Sequence, residues 1–172
     1  ARLLEALGIA VGEAPPFPVL DTRSFPLSSR LAPLMAIQPK VVVHLGAGNR
    51  FRDWGEDHFT DLARRLGEDK VAVVLVGGSS EEQQRAARLS RLPYVHDLSG
   101  PLPVRELLAL IAASTAYIGA DSGPLHLASL TSTPLVALYG PNRTTVSGPW
   151  RRDALEVVEL EMACRPCSQR RC

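Results

Sequence analysis

The sequence predicts a three-layer α/β domain with a mostly parallel sheet of about six strands, and three observations carry that expectation. Short continuous apolar runs recur along the chain, as strands buried on both faces require. Helix-period segments alternate with those runs, the order that βαβ units produce. The polar, glycine-rich turns follow the runs. In an open α/β sheet, turns of that kind gather on one edge, where such sheets bind ligands.

The first forty residues stand apart. They carry six of the fourteen prolines, Pro15, Pro16, Pro18, Pro26, Pro33 and Pro39, and repeated proline suppresses both helix and ladder pairing. Residues 1–39 therefore read as an interdomain linker, a remnant of a preceding half, draped over the domain at 40–172. Leu20, Phe25, Leu27 and Leu31 are the residues able to pack on that domain. Ala1 to Gly8 reads as the last turns of a helix ending at a glycine C-cap. Both ends look cut, so the chain reads as part of a larger protein.

From Lys40 the pattern changes. Val41-Val42-Val43-His44-Leu45 is the first strand, broken by Gly46-Ala47-Gly48-Asn49. A helix is expected from about Glu56, with Phe59, Leu62, Ala63 and Leu66 on its inner face. Val71 to Val76 is the second strand, and Gly77-Gly78-Ser79-Ser80 turns it into a helix over Glu81 to Leu92. Tyr94 to Leu98 is a weaker third strand. Pro103 opens a helix with Leu107, Leu108, Leu110 and Ile111 inward. Ala116 to Gly119 is the fourth strand, followed by a helix reaching about Thr131. Leu135 to Tyr139 is the fifth strand, and Leu155 to Leu160 the sixth.

Composition narrows the function classes. The 172 residues have room for one good-sized domain. A formal net charge of +1 and 5% aromatic residues argue against nucleic acid as a partner. No apolar run approaches the roughly 20 residues that span a bilayer, and no signal peptide is visible at the start. Cys164, Cys167 and Cys172 cluster in the last nine residues, which fits a reducing compartment better than a disulfide framework. Zinc wants four ligands, and no second pair or nearby histidine completes the set, so no metal is expected.

The chain is organised around Tyr117-Ile118-Gly119-Ala120-Asp121-Ser122-Gly123-Pro124-Leu125-His126. It reads as strand, polar turn and immediate helix. Asp121 and Ser122 stand where an N-cap is wanted, and Pro124 where a first helical residue is wanted. Gly123 lets a ligand approach the backbone. Such a start aims several free N–H groups and a partial positive charge at one spot, a ready anion site. His126 can donate to a phosphate or sugar, although a half-buried structural histidine is the plainer reading. Asp121 is most simply a cap.

Three other turns share the expected edge. Gly46-Ala47-Gly48-Asn49-Arg50-Phe51 resembles a dinucleotide fingerprint but has Phe51 where the last glycine belongs. Its backbone, with Arg50 and Arg52, still suits a phosphate. Glu81 and Glu82 open the next helix, where a carboxylate can accept ribose hydroxyls. Against that, Ser79 with Glu82 and Ser80 with Gln83 both spell capping boxes, the favoured reading from spacing alone. Tyr139-Gly140-Pro141-Asn142-Arg143-Thr144 ends the fifth strand as a turn lining the same cleft.

Taken in series, these motifs resemble a known family. His44-Leu45-Gly46-Ala47-Gly48, then Arg52-Asp53-Trp54, then Gly77-Gly78 with its following glutamates, then Asp121 to Ala128, then Tyr139-Gly140-Pro141, are similar in order and spacing to the C-terminal half of the glycosyltransferase family 9 lipopolysaccharide heptosyltransferases. The closing Cys164-x-Pro166-Cys167 resembles a segment of some members. The resemblance implies a Rossmann-like domain, one half of a GT-B enzyme, that binds an ADP-heptose-like donor.

It implies that the backbone from Ser122 to Leu125 holds the diphosphate with His126 beside it. It places Arg52, where the family usually has lysine, on phosphate, and Glu82 or Glu81 on ribose, Glu82 aligning better. Gly46, Ala47, Gly48, Asp121, Gly123 and Pro124 complete the donor-binding set. No catalytic residue is expected here: the general base and most of the acceptor site belong to the N-terminal domain, so this chain alone should bind donor and catalyse little. The implied reaction is inverting, metal-independent and free of cofactors other than the ADP-sugar donor substrate. It moves the sugar to a lipid-linked saccharide, in the cytoplasm or peripherally on the inner membrane. An NAD(P)-binding oxidoreductase domain and a non-catalytic nucleotide-binding module are the competing readings.

Overall fold

The computed structural model describes residues 19–150, 153–165 and 167. Ala1 to Gly8, Pro15, Pro16, Pro18, Pro166 and Cys172, all read above from the sequence, lie outside these residues. Six strands form one sheet: β1 Lys40–His44, β2 Ala72–Val76, β3 Val95–Asp97, β4 Ala116–Ala120, β5 Leu135–Tyr139 and β6 Leu155–Glu159. The order is β3-β2-β1-β4-β5-β6, and every pairing is parallel. This is the doubly wound order, whose direction reverses between β1 and β4 and opens a crevice there.

Side chains alternate between two cores because successive strand residues point to opposite faces. Val41, Val43 and Leu45 pack on one face with Phe59, Ala63, Ala86 and Leu89. Val42, Val74 and Tyr117 pack on the other with Leu110, Ile111, Leu125 and Ala128. The helices supplying these residues, beginning with a short one in the linker, are α1 Ala32–Met35, α2 Glu56–Glu68, α3 Ser80–Leu89, α4 Val104–Ala112, α5 Gly123–Ala128 and α6 Thr144–Ser147.

The element order matches expectation, and the ends differ. α3 stops at Leu89 and α5 at Ala128, short of Leu92 and Thr131. Just beyond α5, Thr131 turns its hydroxyl onto the Ala128 carbonyl at 2.8 Å, a local bond that competes with continuing the helix. The described part of the linker is docked on the domain. Leu31 is fully buried, whereas Leu20 and Leu27 are exposed rather than packed. Ser28 Oγ donates to the buried Glu106 at 2.6 Å, and Arg30 donates to the Ser99 carbonyl at 2.8 Å. Lys40, entirely buried, sends its ammonium to the carbonyls of Met35 and Ile37, both at 3.1 Å. Burial pulls its pKa down. Among the described residues, no helix is long and apolar enough to cross a membrane.

Candidate functional site

The C-terminal ends of β1, β2, β4 and β5 bring together every turn singled out above. After β1, Gly48 adopts φ +60°, a left-handed turn that glycine adopts without a Cβ penalty. Asn49 then accepts from the Phe51 N–H at 2.9 Å, capping a single 3-10 turn over Arg50–Arg52. The next α-helix starts only at Glu56. A dinucleotide fingerprint needs its helix to open directly on this loop, and here none does.

The turn after β2 belongs to Glu82. Its Oε2 accepts from the N–H groups of Gly78 at 2.6 Å and Ser79 at 2.8 Å, while Ser79 Oγ accepts from the Glu82 N–H at 3.2 Å. The Ser79–Glu82 capping box is therefore formed. The second proposed box is not: Gln83 donates instead to the Gly78 carbonyl at 3.1 Å, because Ser80 is already the first residue inside the helix. The second Glu82 oxygen, Oε1, lies over Gly46, where an added Cβ would meet it at 1.4 Å. Gly46 thus makes room for this carboxylate. Glu81 stands on the rim, its side chain 82% exposed.

A cleft of about 270 Å³ lies between these two turns, bounded by Gly46 to Arg50, Asp53, Ser79, Glu81, Glu82 and Arg85. Its floor is an ion-pair cluster that sequence reading missed. The buried Arg85 donates to the Leu45 carbonyl at 2.9 Å and forks onto Asp53 at 2.8 and 2.7 Å. Its guanidinium also lies 5.6 Å from the Phe59 ring centre, within cation–π range. The fork holds the Asp53 carboxyl below its ordinary range. The available signal was an arginine on the inner face of α3, four residues before the buried Leu89.

The turn after β4 departs most from expectation. Ser122 occupies the N-cap position with extended backbone, but its side chain caps nothing. Its hydroxyl lies 3.4 Å from Nδ1 of His44 at the end of β1. His44 is buried, and burial lowers its pKa, favouring the neutral ring. Pro124 is the second helical residue, not the first. Pro124 lacks an N–H, and those of Leu125 and His126 turn back to the Ser122 carbonyl at 3.1 and 3.4 Å. The His126 bond is the ordinary i→i−4 bond of a helix, so within the opening turn Pro124 and Leu125 are the positions that offer a ligand no N–H.

Asp121 does not cap either. Its side chain is only 6% exposed and faces Arg52, whose Nη1 is 3.3 Å from Oδ2 and donates to the Asp121 carbonyl at 3.4 Å. Asn142 Nδ2 donates to the same Oδ2, Ser147 Oγ does so at 3.3 Å, and His126 Nε2 lies 4.0 Å from Oδ1. Of the two arginines after β1, Arg52 joins this group, while Arg50 lies over the Phe51 ring at 4.8 Å. The edge therefore presents a guanidinium, a turn backbone and a half-exposed histidine, a set suited to an anion. Among the described residues, no group of three metal-ligating side chains occurs.

A doubly wound parallel sheet with a glycine-rich edge at its switch point defines a domain of the Rossmann-like kind. The family model described as glycosyltransferase family 9 (heptosyltransferase) matches residues 6–172, and the chain belongs to that family. It is 26% identical over 148 residues to lipooligosaccharide heptosyltransferase 2 of Campylobacter jejuni, covering 81% of this chain and 46% of that protein. It is 32% identical over 112 residues to lipopolysaccharide heptosyltransferase 2 of Escherichia coli, covering 62% and 32%.

Among solved structures, Escherichia coli ADP-heptose lipopolysaccharide heptosyltransferase II superposes with a TM-score of 0.68 at 25% identity, covering 81% of this chain and 46% of that one. An Escherichia coli heptosyltransferase solved with ADP shares the fold, with a TM-score of 0.66 at 22% identity, covering 71% and 38%. The chain spans about half the length of the first curated relatives it matches.

Proposed function

We propose that this chain is the donor-binding half of a glycosyltransferase that moves a heptose-like sugar from an ADP-sugar to a lipopolysaccharide core acceptor. The observation that carries the reading is Arg52 standing beside the Asp121–His126 turn at the crevice between β1 and β4. On this reading the diphosphate lies between the Arg52 guanidinium and the backbone from Ser122 to Leu125, with His126 beside it. Arginine offers two parallel donors to phosphate oxygens, and its charge offsets the charge that builds on the departing diphosphate. The ribose lies toward the cleft between Gly46 and Glu82. Glu82 Oε2 is occupied by two N–H groups, so Oε1 is the oxygen offered to a hydroxyl.

The roles of Gly46, Ala47, Gly48, Glu81, Gly123 and Pro124 are to shape and line this site. On this reading the catalytic base and the lipid-linked acceptor belong to an N-terminal half that precedes this one. Residues 1–39 connect the two halves. The reaction is placed in the cytoplasm or against the inner membrane, inverts the anomeric centre, and uses no metal. The test is thermal unfolding of the chain with ADP. At 100-fold excess over Kd, ADP should stabilise by about 2.7 kcal/mol, roughly 5–10 °C for a domain of this size. Arg52→Ala should remove the rise, and no shift with any nucleoside diphosphate would sink the reading.

A further inference from the structure

A cavity of about 610 Å³ opens between the turn after β5 and the chain leaving β6, and the donor-binding reading gives it no task. One wall is Arg143, Thr144 and Thr145, where that turn enters α6. The other is Glu159 at the end of β6, with Glu161 and Met162 beyond it. The volume falls in the range of clefts that hold small ligands, about 300–1,000 Å³. The two walls are fixed to each other by Arg165, whose side chain is 9% exposed. Its guanidinium donates to the Asn142 carbonyl at 2.7 Å on one side, and to the Leu160 carbonyl at 3.0 Å and Glu159 Oε2 at 2.8 Å on the other. Arg143 Nη2 donates in turn to the Arg165 carbonyl at 3.2 Å, and the Cys167 N–H to the Pro141 carbonyl at 3.3 Å. Thr145 and Glu161 have no hydrogen-bond or ion-pair partner among the described residues.

We propose that this cavity is a saccharide subsite that takes a sugar unit of the acceptor. The inference rests on the donor-binding reading above and extends it to the acceptor's path over this half. A sugar presents many hydroxyls, each both donor and acceptor. The Thr145 hydroxyl meets either role, Arg143 donates, and Glu161 and the Glu159 oxygen not taken by Arg165 accept. Met162 adds apolar surface for the C–H face of a ring. Two carboxylates beside one exposed arginine repel a diphosphate, so a second phosphate site does not fit. Place in the sheet decides which sugar. β6 lies two strands beyond β4, roughly 10 Å along the edge at ~4.8 Å per strand. On the donor-binding reading, nucleoside, diphosphate and transferred sugar run along the edge from β2 past β4, and the molecule next in line is the one that receives the sugar. Asn142 joins the two sites, its side chain donating to Asp121 after β4 and its carbonyl accepting from Arg165. The N-terminal half then holds the reacting end of the acceptor, and this cavity a sugar unit beside it.

The test is calorimetric titration of the chain with three probes: the core oligosaccharide released from lipopolysaccharide by deacylation, ADP, and ADP-heptose. Wild type should bind the oligosaccharide with ADP present. Glu161→Ala and Arg143→Ala should each weaken that binding about tenfold, the scale of one hydrogen bond to a charged group, and change ADP and ADP-heptose affinity less than about twofold. Losses confined to ADP-heptose would give the cavity to the donor's own sugar and overturn the proposal. Tighter oligosaccharide binding by Glu161→Ala would also overturn it, because charge attraction rather than hydroxyl recognition would then hold the ligand.

Glu161 and Arg143 are exposed, as is Thr145, and Thr145→Val repeats the test without changing charge. It should weaken the oligosaccharide by about threefold to tenfold, the scale of a neutral hydrogen bond. Unchanged oligosaccharide affinity in all three variants would overturn the proposal. A wild-type chain that binds ADP but no oligosaccharide refutes this inference alone. A chain that binds neither refutes the donor-binding reading beneath it as well.

Discussion

Gly46→Ala tests whether the glycines of this edge serve the fold or a ligand. A methyl at Gly46 would stand 1.4 Å from Glu82 Oε1 and 2.4 Å from Glu82 Cδ. Those atoms end a flexible side chain, so the carboxylate swings away and the backbone stays. What is lost is the pair of bonds from the Gly78 and Ser79 N–H groups to Oε2, while Ser79 Oγ keeps the Glu82 N–H. Bonds to a charged acceptor contribute about 1.5–3 kcal/mol net, and the loss of a cap typically costs about 1 kcal/mol. Rehydration of the displaced carboxylate offsets part of this, which leaves a cost of about 2 kcal/mol.

At 2–4 °C per kcal/mol for a domain of this size, Tm should fall by roughly 4–8 °C. Urea unfolding of wild type, Gly46→Ala, Glu82→Ala and the double variant measures it. In the Glu82→Ala background the methyl meets no carboxylate, so the second substitution should cost under about 0.5 kcal/mol. A Gly46→Ala cost equally large with and without Glu82 would refute the reasoning, because the clash would then lie elsewhere in the loop.

The other expectations concern single buried groups. The Tyr117 hydroxyl is fully buried without a hydrogen-bond partner among the described residues, and burial raises its pKa. Tyr117→Phe should therefore raise stability by up to about 1 kcal/mol, and a clear loss in urea unfolding would show that the hydroxyl is satisfied. Arg85→Ala breaks a buried fork and should cost about 3 kcal/mol, whereas Arg88→Ala removes a more exposed pair with Glu56 and should cost far less; equal losses in denaturant would contradict the burial argument.

His44 has its pKa lowered below the ordinary 6.5 by burial, so below that pH the unfolded chain binds the extra proton first. Its contribution is present above about pH 6.5 and is lost as pH falls toward the folded pKa. His44→Gln should flatten that part of the stability profile, and an unchanged slope between pH 5 and about 6.5 would remove the assignment.

Much of this architecture is written in local patterns. Val41 to Leu45, Val71 to Val76 and Leu135 to Tyr139 are apolar on both faces, and a strand that must be buried twice has few other ways to be encoded. The Ser79–Glu82 box was legible for the same reason, since its partners lie within four residues. Local spacing also misled. Asp121 and Ser122 have the chemistry of caps, and nothing within ten residues indicates that Arg52, Asn142 and His44 will claim their side chains. A cap competes with every polar group that the sheet brings nearby, and the buried long-range partners won.

The sequence by itself determined the alternation of elements, the edge on which the polar turns fall and the family to which the chain belongs. Hydrophobic period and turn chemistry act over a few residues, and a series of motifs survives in linear order. Only the tertiary structure decided what each charged group on that edge touches. Arg85 finds Asp53 and Glu82 finds Gly46 across gaps of 32 and 36 positions, and such pairings follow from strand order and register, which no local pattern specifies.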